Sequence, residues 1–410
     1  MPGALPTGDP VPDDGVLPSS AAEGAPDRRF GVYLHVPFCQ VRCGYCDFNT
    51  YTAEDLPGVS RSDFRGLAES ELRFAARVFA QSGVESRQVD TVFFGGGTPS
   101  LVPASDVVRL LEVIDQQWGI RSDAEVTVEA NPDSISRDQV RRWAEGGVTR
   151  VSLGVQSFVP HVLATLDRTH NPEHVPRAVE WVREAGLQLS LDLIYGTPGE
   201  TAADWEQTVS RVLDLSPDHV SAYSLIVEPG TALARRIHRG EISPIDEDLH
   251  ADFYERVDDA LQGAGFHWYE VSNWSRGDDY QSRHNLGYWR SDDWWGVGPG
   301  AHSHVGGVRW WNVKHPSAWA ERLNRQVTPG AGREILDADT RQAERIMLGV
   351  RLREGLAASD LPEGSAPVIA RAIADGWIEG PLALRGRLVL TRSGRLMADR
   401  VATDILAAAS

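Results

Sequence analysis

Residues 31–48 read GVYLHVPFCQVRCGYCDF, and they hold all three cysteines of the 410-residue chain, Cys39, Cys43 and Cys46, in C-x3-C-x2-C spacing. Soft thiolates select zinc, copper(I) or iron–sulfur clusters. An iron–sulfur cube has four irons and is usually held by four cysteines, so three leave one iron open to a substrate. A structural zinc site needs four ligands. His35 would complete that set, but four ligands crowded into one segment depart from the usual paired spacing. A disulfide leaves one thiol over in a chain without a secretory signal. The open cube fits the number and the spacing best.

The composition sets the limits. Length predicts two or three domains, and a hydrophobic content of 41% supports a real core. The formal charge of −18 speaks against a nucleic-acid partner, which would need phosphates neutralised. Lys314 is the sole lysine, so arginine carries the positive charge. No 18-residue apolar run predicts a membrane span, and no charged start with an apolar run predicts a signal peptide. Three cysteines kept for a cluster predict a reducing cytoplasm.

Along the chain, residues 1–28 carry six prolines and four glycines among small and acidic residues, which predicts a disordered tail. Residues 30–35 read as the first strand. An amphipathic helix is predicted over 60–81, with Ser62 as cap and Phe64, Leu67, Leu72, Phe74 and Phe79 inward. Short apolar runs at 89–94, 126–129, 150–155, 187–194 and 219–225 read as strands. Helical patterns at 104–118, 137–145, 172–185 and 203–213 lie among them. Strands alternating with helices mean βα units around a parallel sheet. Six of them with right-handed crossovers curve into a partial barrel.

In such a sheet the chemistry belongs at the carboxyl ends of the strands. Gly95, Gly96, Gly97 and Thr98 end the second strand, 49 residues beyond Cys46; alone, three glycines are only a tight turn. Glu129 ends the third strand, in VEANP, where it reads as a ribose ligand or a solvated strand end. Gln156 ends the fourth. Arg168 follows in LDRTHN, as a carboxylate partner or a surface arginine. Asp192 sits inside the apolar fifth strand, where a buried acid is costly without a partner.

C-x3-C-x2-C with Tyr45 before the last cysteine resembles the radical S-adenosylmethionine (SAM) superfamily. YLHVPFC and YCDF are similar to the family of the oxygen-independent coproporphyrinogen III dehydrogenase and the heme chaperones. The resemblance implies a [4Fe-4S] cluster on Cys39, Cys43 and Cys46, with SAM bound at the open iron and split to a 5′-deoxyadenosyl radical. It implies that Tyr33, Tyr45, Gly96, Gly97, Thr98, Glu129, Gln156, Arg168 and Asp192 line SAM. It also implies an α/β fold, a partial (β/α)6 TIM-type barrel over about residues 29–235. The dehydrogenase carries a further cysteine two residues past the last cluster cysteine, where this chain has Phe48.

Eight of the 13 tryptophans lie between Trp268 and Trp319, with His284, His302, His304 and His315 among them and His267 just before. Such rings suit a flat apolar ligand, or form an ordinary aromatic core. RHNLGYW, residues 283–289, is similar to the H-N-x-x-Y-W motif of the heme chaperones. That implies heme contacts at His284, Asn285, Tyr288 and Trp289. The Gly296–His304 run matches a family loop.

From Asp337 the pattern predicts helices at 341–350 and 368–376, a hairpin over 387–391 turning at Ser393–Gly394, and a last helix from 395. This looks like a small winged-helix-like domain. From Arg333 onward there are 11 arginines and 11 acids, so no basic face meets DNA. The expected division is a tail at 1–28, a core at 29–263, a mixed Trp/His-rich connecting region with the heme candidates at 264–336, and a C-terminal domain at 337–410.

Two functions follow from the resemblance. One is a heme chaperone holding [4Fe-4S], SAM and heme. It would pass heme to apo-proteins, also at the membrane surface, and form a cluster-linked homodimer. The other is a dehydrogenase that decarboxylates two propionates of coproporphyrinogen III. Phe48 and HNLGYW favour the first.

Overall fold

The computed structural model describes residues 5–52, 60–244 and 246–408. Strands β1 (Phe30–Val36), β2 (Val89–Gly96), β3 (Ile120–Ala130), β4 (Arg150–Gln156), β5 (Gln188–Tyr195) and β6 (His219–Ser224) pair in chain order, each parallel to the next. The predicted strands all appear; the first five run at least a residue further at their carboxyl ends, the third also begins earlier, and the fifth begins and the sixth ends one residue inside its predicted bound. Their apolar runs are buried on both faces, as parallel strands under helices require. Helices α1 (Arg61–Gln81), α2 (Ala104–Trp118), α3 (Arg137–Glu145), α4 (Pro160–Thr165), α5 (Val175–Glu184) and α6 (Ala202–Asp214) make the crossovers. Helices α7 (Ala232–His238) and α8 (Glu247–Gly263) follow β6.

Helix α1 shows how sequence sets an element. Phe64, Ala68, Leu72, Ala75, Val78 and Phe79 recur at helical spacing and are buried. Its cap is Ser60 rather than Ser62: Asp63 closes a capping box with Ser60. Its inward face also carries Glu71. That carboxylate accepts hydrogen bonds from Gly298 N–H at 2.8 Å, Asn312 Nδ2 at 2.6 Å and Trp319 Nε1 at 2.7 Å. Burial outweighs these donors and pushes Glu71 up to about 7.

The stretch expected to connect the core to the C-terminus is built into the sheet. β7 (His267–Glu270) and β8 (Asn273–Ser275) extend the β6 edge antiparallel, and after helix α9 (Arg283–Trp289) strand β9 (Asp293–Val297) pairs parallel to β1. β10 (His302–Val305), β11 (Val308–Asn312) and, after α10 (Pro316–Asn324), β12 (Gly330–Ile335) continue antiparallel. Among the described residues the sheet runs β12-β11-β10-β9-β1-β2-β3-β4-β5-β6-β8-β7. Its tryptophans form core. Trp268, Trp274, Trp295, Trp310, Trp311 and Trp319 are buried between strands and helices, which is the ordinary-core reading of their density.

The tail reading needs correction for residues 5–28. Asp9 and Arg333 exchange backbone hydrogen bonds of 2.8 and 2.9 Å along the β12 edge. Leu17, Ala21 and Ala25 are buried, and Arg28 pairs with the buried Asp293 at 2.9 Å. Prolines there hold the backbone extended, and small residues let it lie close to the sheet.

Beyond β12, helices α11 (Ala338–Gly349), α12 (Ala366–Ala374), α13 (Gly380–Ala383), α14 (Arg392–Leu396) and α15 (Ala398–Ala407) surround a separate apolar cluster with Ile346, Leu388 and Ile405 at its centre. The hairpin reading is corrected: β14 (Arg387–Leu388) pairs back to β13 (Leu356–Ala357), and Ser393–Gly394 lie in α14, whose cap is Thr391. This unit docks on the sheet through Asp258. Its carboxylate accepts from Trp274 Nε1 at 2.8 Å and Gln262 Nε2 at 2.6 Å, and it meets Arg395 at 3.2 Å. Arg395 also lies 3.8 Å over the Trp268 ring.

Candidate functional site

A cavity of about 630 Å³ runs along the inner face of β1–β6. The cysteine loop forms its upper wall, at the carboxyl ends of the strands. The loop is pinned at both ends. Cys39 N–H donates to Tyr51 O at 2.9 Å and Tyr51 N–H to Pro37 O at 2.7 Å. Gly44 bonds to Leu166 and Leu233 at 3.0 and 2.8 Å. A Cβ on Gly44 would strike the Asp167 carboxylate, which would have to swing aside. Cys39, Cys43 and Cys46 are free thiols, and all three line the cavity.

The nine residues expected around SAM line the same cavity: Tyr33, Tyr45, Gly96, Gly97, Thr98, Glu129, Gln156, Arg168 and Asp192. Each is half-buried, as a wall residue should be. Gly97 N–H donates to Val36 O at 2.7 Å and Thr98 N–H to Phe38 O at 2.8 Å. The glycine turn therefore ties β2 to the cysteine loop. Its N–H groups are spent, and an amino group, which donates, asks for acceptors instead. A Cβ at Gly97 would meet Phe38 O at 2.5 Å. Gln156 ends β4 with φ +62°, beside a register shift at Gly154. A non-glycine residue held there stores strain, a feature that concentrates at binding sites.

The acids of the cavity are arranged as a pair. Glu129 accepts from Gly96 N–H at 3.2 Å. Burial, then the nearby Asp192 carboxylate, push it up to about 8. Asp192 accepts from Ser152 at 2.7 Å, Ser221 at 2.8 Å and Ser190 at 3.3 Å. Burial still raises it above the usual carboxylate range. The three serines were missed in the sequence. Their signal is a serine at inward alternate positions of adjacent strands, visible once the register pairs Ser152 with Ser190 and Asp192 with Ser221. Arg168 donates to Gly154 O at 2.7 Å and sets its guanidinium 3.6 Å from Cys43 Sγ.

The donor set fits a cluster. Among the described residues no three His, Cys, Asp or Glu side chains converge on one metal ion. A cube presents its irons at separate corners, so its ligands need not converge. His35 is unavailable as a fourth ligand: its ring nitrogens lie 3.0 Å from Tyr33 OH and 2.9 Å from Asn49 O. Burial holds Cys39 above its ordinary value and pushes Cys46 up to about 11. Soft iron would displace those protons.

The residues expected at heme lie at the other end. Helix α9 closes the floor of the cavity at the amino ends of the strands. Glu125 accepts from the N–H groups of Arg283 and His284 at 2.9 and 3.1 Å and pairs with Arg150 at 3.1 Å. His284 stacks on Phe93 with ring centroids 5.0 Å apart. Its Nδ1 lies 2.8 Å from Thr91 Oγ1 and its Nε2 2.8 Å from Tyr288 OH. Burial pushes it down to about 3. Asn285 and Tyr288 line the floor beside it. Trp289 points elsewhere, onto Tyr269, Leu286 and Leu352. The motif is thus assembled as a plug, with both ring nitrogens of His284 in hydrogen bonds.

Residues 33–212 match the model of the radical SAM superfamily. The chain is 48% identical over 93% of its length, and 96% of the relative's, to "Heme chaperone HemW" of Mycobacterium tuberculosis. It is 31% identical to the Bacillus subtilis protein of that name, over 90% of this chain and 97% of that one. Among solved structures, Escherichia coli "Coproporphyrinogen III oxidase (HemN)" covers 94% of this chain and 92% of its own, with TM-score 0.79 and 22% identity; that likeness shows the fold.

Proposed function

The chain belongs to the radical SAM superfamily and, within it, to the family of the heme chaperone HemW, and from this membership we propose that it binds heme and delivers it to apo-proteins. The observation that carries the reading is 48% identity across nearly the whole of both chains. In this reading Cys39, Cys43 and Cys46 hold a [4Fe-4S] cluster, which when bound supplies an electron and an open iron. Tyr33, Tyr45, the Gly96–Gly97–Thr98 turn, Gln156 and Arg168 position SAM beneath it, and Glu129 and Asp192 accept hydrogen bonds from its hydroxyls. His284, Asn285 and Tyr288 close the floor of that chamber, a role their geometry supports better than iron ligation.

Heme-accepting apo-proteins at the membrane surface are the partners of this reading, with a homodimer as the assembly and the cytoplasm as the place. Among the described residues no helix is long and apolar enough to cross a membrane. The dehydrogenase alternative fits less well, because Phe48 stands where that enzyme carries a cysteine.

Anaerobic reconstitution followed by heme titration tests the proposal. A shifted Soret band at one heme per chain, and transfer to an apo-protein, are expected. Conversion of coproporphyrinogen III to protoporphyrinogen IX with SAM and a reductant would overturn it.

A further inference from the structure

The surface at the cluster end of the chamber suits a tetrapyrrole better than its floor does. On the floor, a heme would have to cross the whole chamber to reach His284, and it would find both ring nitrogens engaged. The buried tryptophans offer no open face, and none of them lines the cavity. At the cluster end, large apolar side chains stand out of the surface. Val41 and Phe48 on the cysteine loop are 52 and 57% exposed, and Ile226 just beyond β6 is 68% exposed. All three border the same cavity. Apolar residues gathered at the opening of a pocket mark a ligand site more often than a scattered surface does.

The charges at this rim match the ligand. Heme is a flat apolar ring with two carboxylates on one edge. Arg42 lies on the same loop as Val41 and Phe48, and its guanidinium reaches Phe48 O at 3.3 Å and Cys46 O at 3.5 Å. Asp47 and Glu228 also line the opening. They would repel the propionates and so orient the edge toward Arg42.

We propose that heme docks across the mouth of the chamber, its ring against Val41, Phe48 and Ile226 and its propionates toward Arg42, with no iron bond to His284. The inference rests on the heme-chaperone reading and assigns that ligand a place. It also gives Phe48 a function: an aromatic face where the related dehydrogenase carries a cysteine.

Heme titration of the full-length, cluster-reconstituted chain tests this, with Phe48→Asp/Ile226→Asp, Ile226→Asp alone, Arg42→Ala, and Leu384→Asp as a control at an exposed apolar residue far along the chain. Iron content per chain checks that each variant is folded and loaded; Ile226→Asp lies off the cysteine loop and guards against loss of the cluster. The expected result is a heme Kd at least tenfold weaker for the double variant, several-fold weaker for Ile226→Asp and Arg42→Ala, and within twofold of the parent for Leu384→Asp. Rim variants that bind heme as the parent does would overturn the proposal. So would rim variants that alter oligomeric state while heme affinity holds, since a second copy would then be what covers the rim. A parent chain that takes no heme while holding iron and SAM would instead sink the chaperone reading itself.

Discussion

Glu129 is set to accept from a ligand while it sits beside Asp192. Its carboxyl is pushed up to about 8 from an ordinary 4.5. The folded chain therefore holds a proton that the unfolded chain has released, and stability falls as pH rises between those values. Replacing Glu129 with Gln removes this contribution. The gain in urea midpoint of Glu129→Gln over the parent should grow from pH 5 to pH 8.5. Glu71 and Glu200, both raised to about 7, titrate alike in the two proteins and cancel. A midpoint difference independent of pH would refute the assignment. Above about pH 8, where Glu129 is ionised, the same change should weaken SAM by roughly tenfold or more, as the loss of a charged acceptor costs about 1.5–3 kcal/mol; equilibrium dialysis at alkaline pH would measure it.

At the scale of elements, Glu71 in α1 joins a helix to three separate parts of the β9–α10 region. Glu71→Gln turns an amide N–H toward a donor and leaves one partner unsatisfied. A loss of about 1–3 kcal/mol in unfolding free energy is expected, and a cost below about 0.5 kcal/mol would show that the site relaxes freely. The central strands and helices were legible because their apolar periodicity is strong and their loops short. Glu71 was not, because a lone acid on a helix reads as solvent-facing until its three donors, more than 200 residues away in sequence, are brought to it. The place of helix α9 was not legible for a related reason. HNLGYW names residues but not the end of the barrel they occupy. The motifs singled out nine residues that the fold gathers on one cavity, whereas the serines around Asp192 depend on strand register.

For the whole molecule, the C-terminal unit is held by a few charged contacts around buried rings. Arg395→Ala leaves Asp258 with Trp274 and Gln262 as donors and the more distant Arg392 at 3.9 Å, but strips its nearer ion partner and the cover on Trp268. Breaking a buried pair costs at most about 3–5 kcal/mol. Limited proteolysis should then release a fragment beginning near residue 337 sooner than from the parent, and equal cleavage rates would count against this docking. Arg290→Ala, which removes the more exposed pair with Glu354, should change cleavage little, as such pairs contribute about 0–1 kcal/mol. The N-terminal residues were the furthest from their reading. Composition alone judged proline-rich segments unable to build a core, but residues 5–28 only had to join one already formed by the sheet.

The plug at α9 has a kinetic consequence. A shaft stopped at its base fills and empties by the end that the apolar rim surrounds, so a ligand lodged below and one seated above cannot trade places. Whichever is deeper must arrive first and leave last. Residence time of the nucleoside would then be governed by the ring above it: in a stopped-flow chase, labelled SAM should escape more slowly from the heme-loaded chain than from the heme-free one, with arrival slowed in step.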